Sequence, residues 1–217
     1  MMTFQRKTRM FVGALALSVT ATGWSAERRV ESETTFMAEY QTGSDIDFWS
    51  VGLGVQPNDQ PGSFGGIFYS KMTLNDEQSF EGTSLGERET TIDSFGVRGF
   101  SVSGTGDSPY GADMRIALSE TKTQGYSRTG VEIGANFYGP LAGRLTWFCG
   151  ATLRPEFLSF DWNSDVITEI GVNVGVDYRP IPGVGLFAKY YYENMLTDDL
   201  DSWNLGSGAL IGLNLVL

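Results

Sequence analysis

Nine charged residues stand at positions where strict alternation would place them on one face of a β-strand: Glu39, Arg98, Asp113, Arg115, Glu132, Asp177, Arg179, Lys189 and Glu193. Acids and bases mixed in this way can do two kinds of chemistry. They can neutralise one another as buried ion pairs, or they can line a wet passage for small solutes. Proton-transfer catalysis would need a nucleophile with a base beside it, and no such pair is visible. The chain contains no histidine, so Ser-His-Asp and Asp-His chemistry is impossible. Zinc loses its commonest ligand, and one cysteine, Cys149, does not replace it. The expectation is therefore no enzyme, no cofactor and no metal centre. Arg98, Asp113, Arg115, Glu132, Asp177 and Lys189 form the candidate interior charge network, with Asp113, Arg115 and Glu132 on adjacent predicted strands at its centre.

The elements that must hold these residues are strands. Phe36, Ala38 and Tyr40 alternate against Thr35, Met37, Glu39 and Gln41. Trp49, Val51, Leu53 and Val55 oppose Ser50, Gly52 and Gly54. A third strand spans 63–74, with Phe64, Phe68 and Met72 as candidate outward residues and Lys71 pointing inward. From 92 to 103 Phe95 and Val97 oppose Arg98, but Ile92, Phe100 and Val102 share the arginine's side, which predicts a bulge. Clean alternation returns in Tyr110–Ser119, Gly130–Phe137, Leu145–Leu153, Ile170–Arg179 and Val184–Glu193. The polar stretch 75–91 has no periodicity and predicts a mobile surface loop. Turns are expected at Pro57–Gly62, Thr105–Pro109, Gly139–Gly143 and Pro180–Gly183.

These segments predict about ten strands of bilayer-crossing length, with eight as the alternative. Their apolar faces carry aromatics near the ends, Phe137 and Tyr178 toward one side and Tyr192 toward the other, as interfacial girdles would. An even count puts both termini at one end, together with the short turns. The longer acidic segments 75–91, 155–166 and 195–203 then lie at the other. The fold class expected is all-β: a closed antiparallel transmembrane β-barrel. Inward glycines, Gly134, Gly150, Gly171 and Gly185 among them, would let a narrow cylinder curve. In so narrow a barrel, inward charges more often lock together and fill the lumen than line a pore; both outcomes stay open. Carboxylates such as Asp198, Asp199 and Asp201 invite a divalent-cation hypothesis. No EF-hand spacing supports it, and solvated charge is the simpler reading.

The last residues, Ser207–Leu217, place Ala209, Ile211, Leu213, Leu215 and Leu217 on one face. An unpartnered apolar final strand invites aggregation, whereas a closed barrel in a membrane pairs both its edges. Gly212, Leu215 and Leu217 also match the C-terminal signal by which outer-membrane barrels are recognised for assembly, although Leu217 stands where Phe or Trp is usual.

At the other terminus, Arg6, Lys7 and Arg9 precede an apolar run, Met10–Ala21, and small residues at Gly23, Ser25 and Ala26. This predicts a cleaved signal peptide over residues 1–25, with a single domain over 26–217. The chain holds 28 glycines and 41% hydrophobic residues among 217. Its mean hydropathy is only −0.13, which suits a barrel better than a helical membrane protein. A net charge of −11 excludes nucleic acid as a natural partner.

The stretch Ala151–Asn194 resembles the YfaZ-like outer-membrane proteins. The resemblance rests on Arg154-Pro155, Asp165, Gly171-Val172-Asn173-Val174, Arg179-Pro180 and Tyr190-Tyr191-Tyr192, with Val51-Gly52-Leu53-Gly54 earlier in the chain. It implies a porin-like barrel in the outer membrane of a Gram-negative bacterium and brings no catalytic residue. The expected partners are outer-membrane lipid, lipopolysaccharide and the barrel-assembly machinery. The alternative from another class is a soluble secreted or periplasmic β-barrel that binds an apolar ligand.

Overall fold

The computed structural model of the protein describes residues 31–102, 110–162 and 166–217. The expected signal peptide, the turn at Thr105–Pro109 and Asp165 lie outside these residues. The strands are β1 (Ser32–Gly43), β2 (Ile46–Pro57), β3 (Phe64–Phe80), β4 (Thr83–Val102), β5 (Gly111–Thr123), β6 (Tyr126–Ala142), β7 (Leu145–Pro155), β8 (Ser159–Trp162), β9 (Val166–Ile181), β10 (Val184–Thr197) and β11 (Ser202–Val216). Short β8 extends the wall beside β6. The other ten pair antiparallel with their neighbours, and β11 returns to β1, so the sheet closes on itself. The eight-stranded alternative falls.

Closure is made at the end of the chain. Met37 through Gly43 pair with Val216 through Leu210. Beyond that ladder, the Phe36 amide donates to the Leu217 carbonyl at 2.7 Å, and the Leu217 amide donates back to Phe36 at 2.8 Å. The Thr35 hydroxyl adds a third bond to the Leu217 carbonyl at 2.7 Å.

The wall has an apolar outside. Leu53, Ile67, Phe95, Val97, Met114, Ile116, Leu118, Val174 and Ile211 are all more than half exposed. Polar groups bound this band at the end away from the termini, where Tyr69 bonds Asp93 and Lys122 pairs with Glu120. Phe137, Trp147 and Tyr178 stand at the other edge, each about half exposed. Four outward residues such as Trp49, Val51, Leu53 and Val55 cover seven strand positions, which at ~3.3 Å each and a tilt of ~40° span roughly 18 Å, most of a barrel's apolar band of about 25 Å. A surface of this kind belongs in lipid and not in water.

Three local expectations are corrected. Phe64, Phe68 and Met72 are buried and face the lumen, while Ile67 and Tyr69 face out and Lys71 is half-buried. Both faces of β3 are apolar, so alternation could not choose between them. Register does: Gly52 opposes Phe68, and a Cβ at Gly52 would meet the Phe64 ring at 2.7 Å. The bulge expected in 92–103 is absent from its described part, 92–102, where pairing of β4 with β3 and β5 is continuous. Ile92, Phe100 and Val102 share the side of Arg98 because the lumen itself is partly apolar.

The third correction concerns 75–91, which is a hairpin and not a loop. Asn75 pairs with Glu89 and Asp76 with Arg88, and the chain reverses at Glu81 (φ 47°) and Gly82 (φ 74°). It rises past the shorter β1–β2 hairpin, so β3 reaches β11 directly, Phe80 opposite Trp203. Its few inward residues are polar: Gln78 donates to Thr90 at 2.8 Å and accepts from the Trp203 indole at 3.2 Å. With polar residues on both faces, a strand leaves no hydrophobic period to read.

At the hairpin tip the Glu81 amide donates to the Ser202 carbonyl at 3.0 Å. The exposed Glu81 carboxyl is held above the usual carboxylate range by its hydrogen bond to Asp201. A raised carboxyl stabilises the contact fully below its unfolded pKa and loses that contribution as pH rises through the folded one. Hydrogen exchange at the Glu81 amide, corrected for its intrinsic rate, should show more protection at about pH 4 than at about pH 7.

Candidate functional site

The candidate site is the lumen, and its two walls differ. Buried apolar residues come mainly from β10, β11 and β1–β4. Met37, Phe64, Phe68, Phe100, Val102, Ala117 and Val216 pack toward the terminal end. Ile46, Phe48, Met72, Leu74, Ile92, Tyr191 and Leu210 pack toward the far end, where Tyr126, Val166, Met195 and Leu205 add a cap. The facing wall, β4–β10, carries the charges.

Two ion-pair groups cross this wall. In the first, Arg98 is gripped by Asp113 through two bonds of 2.8 Å and donates to Glu39 on β1 at 2.8 Å. Asn136 and Asn173 continue the chain of donors, from Asn173 to Asn136 at 2.9 Å and from Asn136 to Asp113 at 3.3 Å. In the second, Glu132 receives Arg115 at 2.7 Å, Arg154 at 2.9 Å and Ser94 at 3.1 Å. Arg154 also reaches Glu193 at 2.8 Å and Glu169 at 3.6 Å. Tyr126 and Thr121 each donate to Glu169 at 2.7 Å, and Tyr191 donates to Glu193.

Of the six residues singled out in the sequence, four sit in these groups: Arg98, Asp113, Arg115 and Glu132. Asp177 pairs separately with Arg179 at 2.7 Å. Among the described residues Lys189 has no ion-pair partner; its ammonium lies 5.3 Å from the Tyr191 ring centre. Sequence reasoning missed Arg154 and Glu169, which with Glu132 and Glu193 make the tightest cluster. Arg154-Pro155 looked like a turn signal, yet Arg154 is on the inward face two residues from Thr152, and alternation through Leu153 would have found it. Gly212, under the Phe187 ring, and Leu215, opposite Ala38 and Val184, lie in the closing strand with Leu217 after them.

The inward glycines turn out to be seats for long side chains. A Cβ at Gly134 would strike the Arg115 Nε at 2.9 Å, at Gly171 the Tyr191 hydroxyl at 2.5 Å, and at Gly150 the Asn136 Oδ1. Across the terminal end runs an aromatic row. Phe100 meets Tyr138 edge-on at 6.1 Å, Tyr138 stacks on Phe148 at 5.3 Å, and Phe148 meets Phe187 at 6.2 Å. Between these fillings a central cavity of ≈ 40 Å³ remains, lined by Glu39, Arg115, Asn173, Lys189 and Asn214 among others. That is space for a few waters. Unpartnered acceptors on Gln41, Asn173, Asp177 and Asn214 face this small space.

No known family model matches the chain, and no curated protein matches it in sequence. Among solved structures it is similar to the translocator domain of the autotransporter NalP from Neisseria meningitidis, at 12% identity and a TM-score of 0.33, over 85% of this chain and 87% of that one. It is also similar to the outer-membrane channel DcaP of Acinetobacter baumannii, at 12% identity and 0.30, over 84% of this chain and 61% of that one. In vitro folded OmpT, an outer membrane protein of Vibrio cholerae, follows at 16% and 0.28, over 83% and 64%. Likeness at this level transfers no activity, solute or residue role, and the barrel assignment stands on the strand pairing itself.

Removing one partner of a buried ion pair leaves an uncompensated charge, which costs about 3–5 kcal/mol. Glu132→Ala strands Arg115, takes from Arg154 one of its three carboxylates, and should lower the denaturation midpoint of the detergent-folded barrel steeply. Lys189→Met removes no ion pair and should leave it nearly unchanged. Urea titration, followed by heat-modifiable gel mobility, compares the two.

Proposed function

We propose that the protein is an integral outer-membrane β-barrel with a structural role, its lumen locked shut by ion pairs. The observation that carries this is the filling. Among the described residues, apolar clusters at both ends and a charge network between them leave a central cavity of ≈ 40 Å³. Each carboxylate of the central cluster already accepts hydrogen bonds from cationic or hydroxyl groups, an arrangement suited to holding strands together and not to moving protons. A non-enzymatic role accords with that saturation and with the absence of histidine. A weak porin-like role is the second reading, favoured by Arg115 and Lys189, which keep part of their surface toward the cavity.

The apolar exterior and filled lumen support a membrane barrel over a soluble carrier of apolar ligands, which would need the reverse: a polar outside and an empty apolar interior. The natural surroundings on this proposal are outer-membrane lipid and lipopolysaccharide. The termini and short turns face the periplasm, and the acidic ends of β3–β4 and β10–β11 face outward. Membership of a YfaZ-like group belongs to the same proposal and rests on the turn motifs of residues 151–194.

Purified protein in planar bilayers should give no discrete conductance steps; regular steps would overturn the locked lumen in favour of a pore. In cells the protein should stay with membranes through carbonate washing, and a soluble periplasmic pool would sink the membrane assignment. Leu217→Asp places a charge on the lipid-facing end of the closing strand, where the wild-type side chain is 73% exposed. The variant should fail to accumulate in the outer membrane. Normal accumulation would show that the last residue carries no assembly information.

A further inference from the structure

At the end of the barrel that holds both termini lies a cleft of ≈ 510 Å³, which shares Arg179 with the lining of the central cavity. Its walls come from the β2–β3 turn (Asp59, Gln60, Pro61, Ser63), the end of β4, the start of β5, and the β9–β10 turn (Pro182, Gly183). The two turns touch through glycine: a Cβ at Gly62 would lie 2.5 Å from the Gly183 nitrogen. Both glycines have positive φ, 84° and 81°, so the wall is built on conformations that other residues disfavour.

The floor is Arg179, which is only 5% exposed. Its Nε donates to Asp177 at 2.7 Å, and its Cζ lies 4.8 Å from the centre of the Phe100 ring. Those two contacts fix the plane and direction of the guanidinium. They use one nitrogen and one face. Among the described residues, neither terminal nitrogen, Nη1 nor Nη2, has a hydrogen-bond partner. Neither is sealed from solvent, so this edge is open for water or a solute to supply the missing acceptors.

We infer that this cleft binds a small oxyanion, the carboxylate or phosphate group of a solute, whose two oxygens take the Nη1 and Nη2 edge of Arg179. A planar fork facing two oxygens is the geometry in which guanidinium binds such groups bidentately. The cleft's size falls in the range of small-molecule sites, so it has room for an organic body as well as the anionic head. The Tyr110 side chain at the rim, 70% exposed, is free to contact that body. Asp177 compensates the guanidinium from the side, and the exposed Asp59 on the rim repels an incoming anion; both set the affinity. Arrival of the solute from the periplasm rests on the orientation proposed above, whereas binding itself does not.

The test uses the full barrel folded in neutral detergent. Inorganic phosphate and acetate are titrated separately at constant ionic strength, with chloride as the control, and binding is read by calorimetry. Saturable heat with phosphate, with acetate, or with both supports the site and tells which head group it prefers. The double variant Arg179→Gln with Asp177→Asn removes the floor without leaving a lone charge and should weaken binding roughly tenfold or more. Gln60→Trp, on an exposed turn away from the ion pair, should block the mouth with similar loss. Asp59→Asn should tighten binding, a change that a purely structural Arg179 would not produce. No saturable heat from the wild type, an equal response to chloride, or binding untouched by Gln60→Trp would each overturn the inference. If the double variant fails to fold, the wild-type, Gln60→Trp and Asp59→Asn titrations still decide it. Conductance plays no part in the readout, so a failed locked-lumen reading and a failed oxyanion site are told apart.

Discussion

In hydrocarbon, a peptide group without a partner costs several kcal/mol, so a sheet that crosses a membrane cannot keep an edge. This constraint governs the molecule from its last residue backwards. The β1–β11 ladder is short, running from Met37 to Gly43 on one side and Val216 to Leu210 on the other. The reciprocal amide bonds between Phe36 and Leu217 extend it to the end of the chain. Above the ladder, where β1 has already turned into β2, the β3–β4 hairpin leans across and gives β11 a new neighbour at Phe80 and Ser79. The long acidic hairpin is thus part of the closure, holding the upper end of β11 after β1 has run out.

A closed cylinder of ten strands encloses more space than peptide backbone can fill, and the lumen solves this in two ways at once. One wall contributes phenylalanines, leucines, isoleucines and methionines; the other contributes arginines and carboxylates. The division has an electrostatic logic. Grouping the ions on neighbouring strands keeps most of the charges within hydrogen-bond reach of an opposite one, as with Arg154 among Glu132, Glu193 and Glu169. Interspersing them around the barrel would have left charges facing apolar side chains, where burial is most expensive. The inward glycines serve the same end, because Arg115, Asn136 and Tyr191 lie across the strand beside them only where there is no Cβ.

Arg179 departs from this pattern. Where the other buried arginines spend their donors on carboxylates, hydroxyls or carbonyls, Arg179 spends one nitrogen on Asp177 and leaves its outer edge open at the cleft. Arg179 and the aromatic row that begins at Phe100 both line the central cavity as well. The floor of the cleft and the plug of the lumen therefore share one stacked pair, the guanidinium of Arg179 and the ring of Phe100.

The sequence by itself determined the barrel. Period-two alternation in β5–β7, β9 and β10 and an apolar final strand require closure and an apolar exterior, because those signals come from single strands and need no knowledge of neighbours. It also placed Asp113, Arg115 and Glu132 inside by the alternation of their own strands, and Arg98 opposite the outward Phe95 and Val97. Only the tertiary structure decided which charges meet. Arg98 finds Glu39 across 59 positions of chain, and Arg154 finds Glu193 across 39, distances set by the stagger of strands around the cylinder. Register likewise settled β3, whose two faces are equally apolar, and turned 75–91 from an expected loop into a hairpin, because outside the lipid a strand has no apolar face to betray it. The cleft was illegible for the same reason. Asp59, Tyr110, Arg179 and Gly183 belong to separate turns and strand ends, and only the closing of the barrel brings them to one rim.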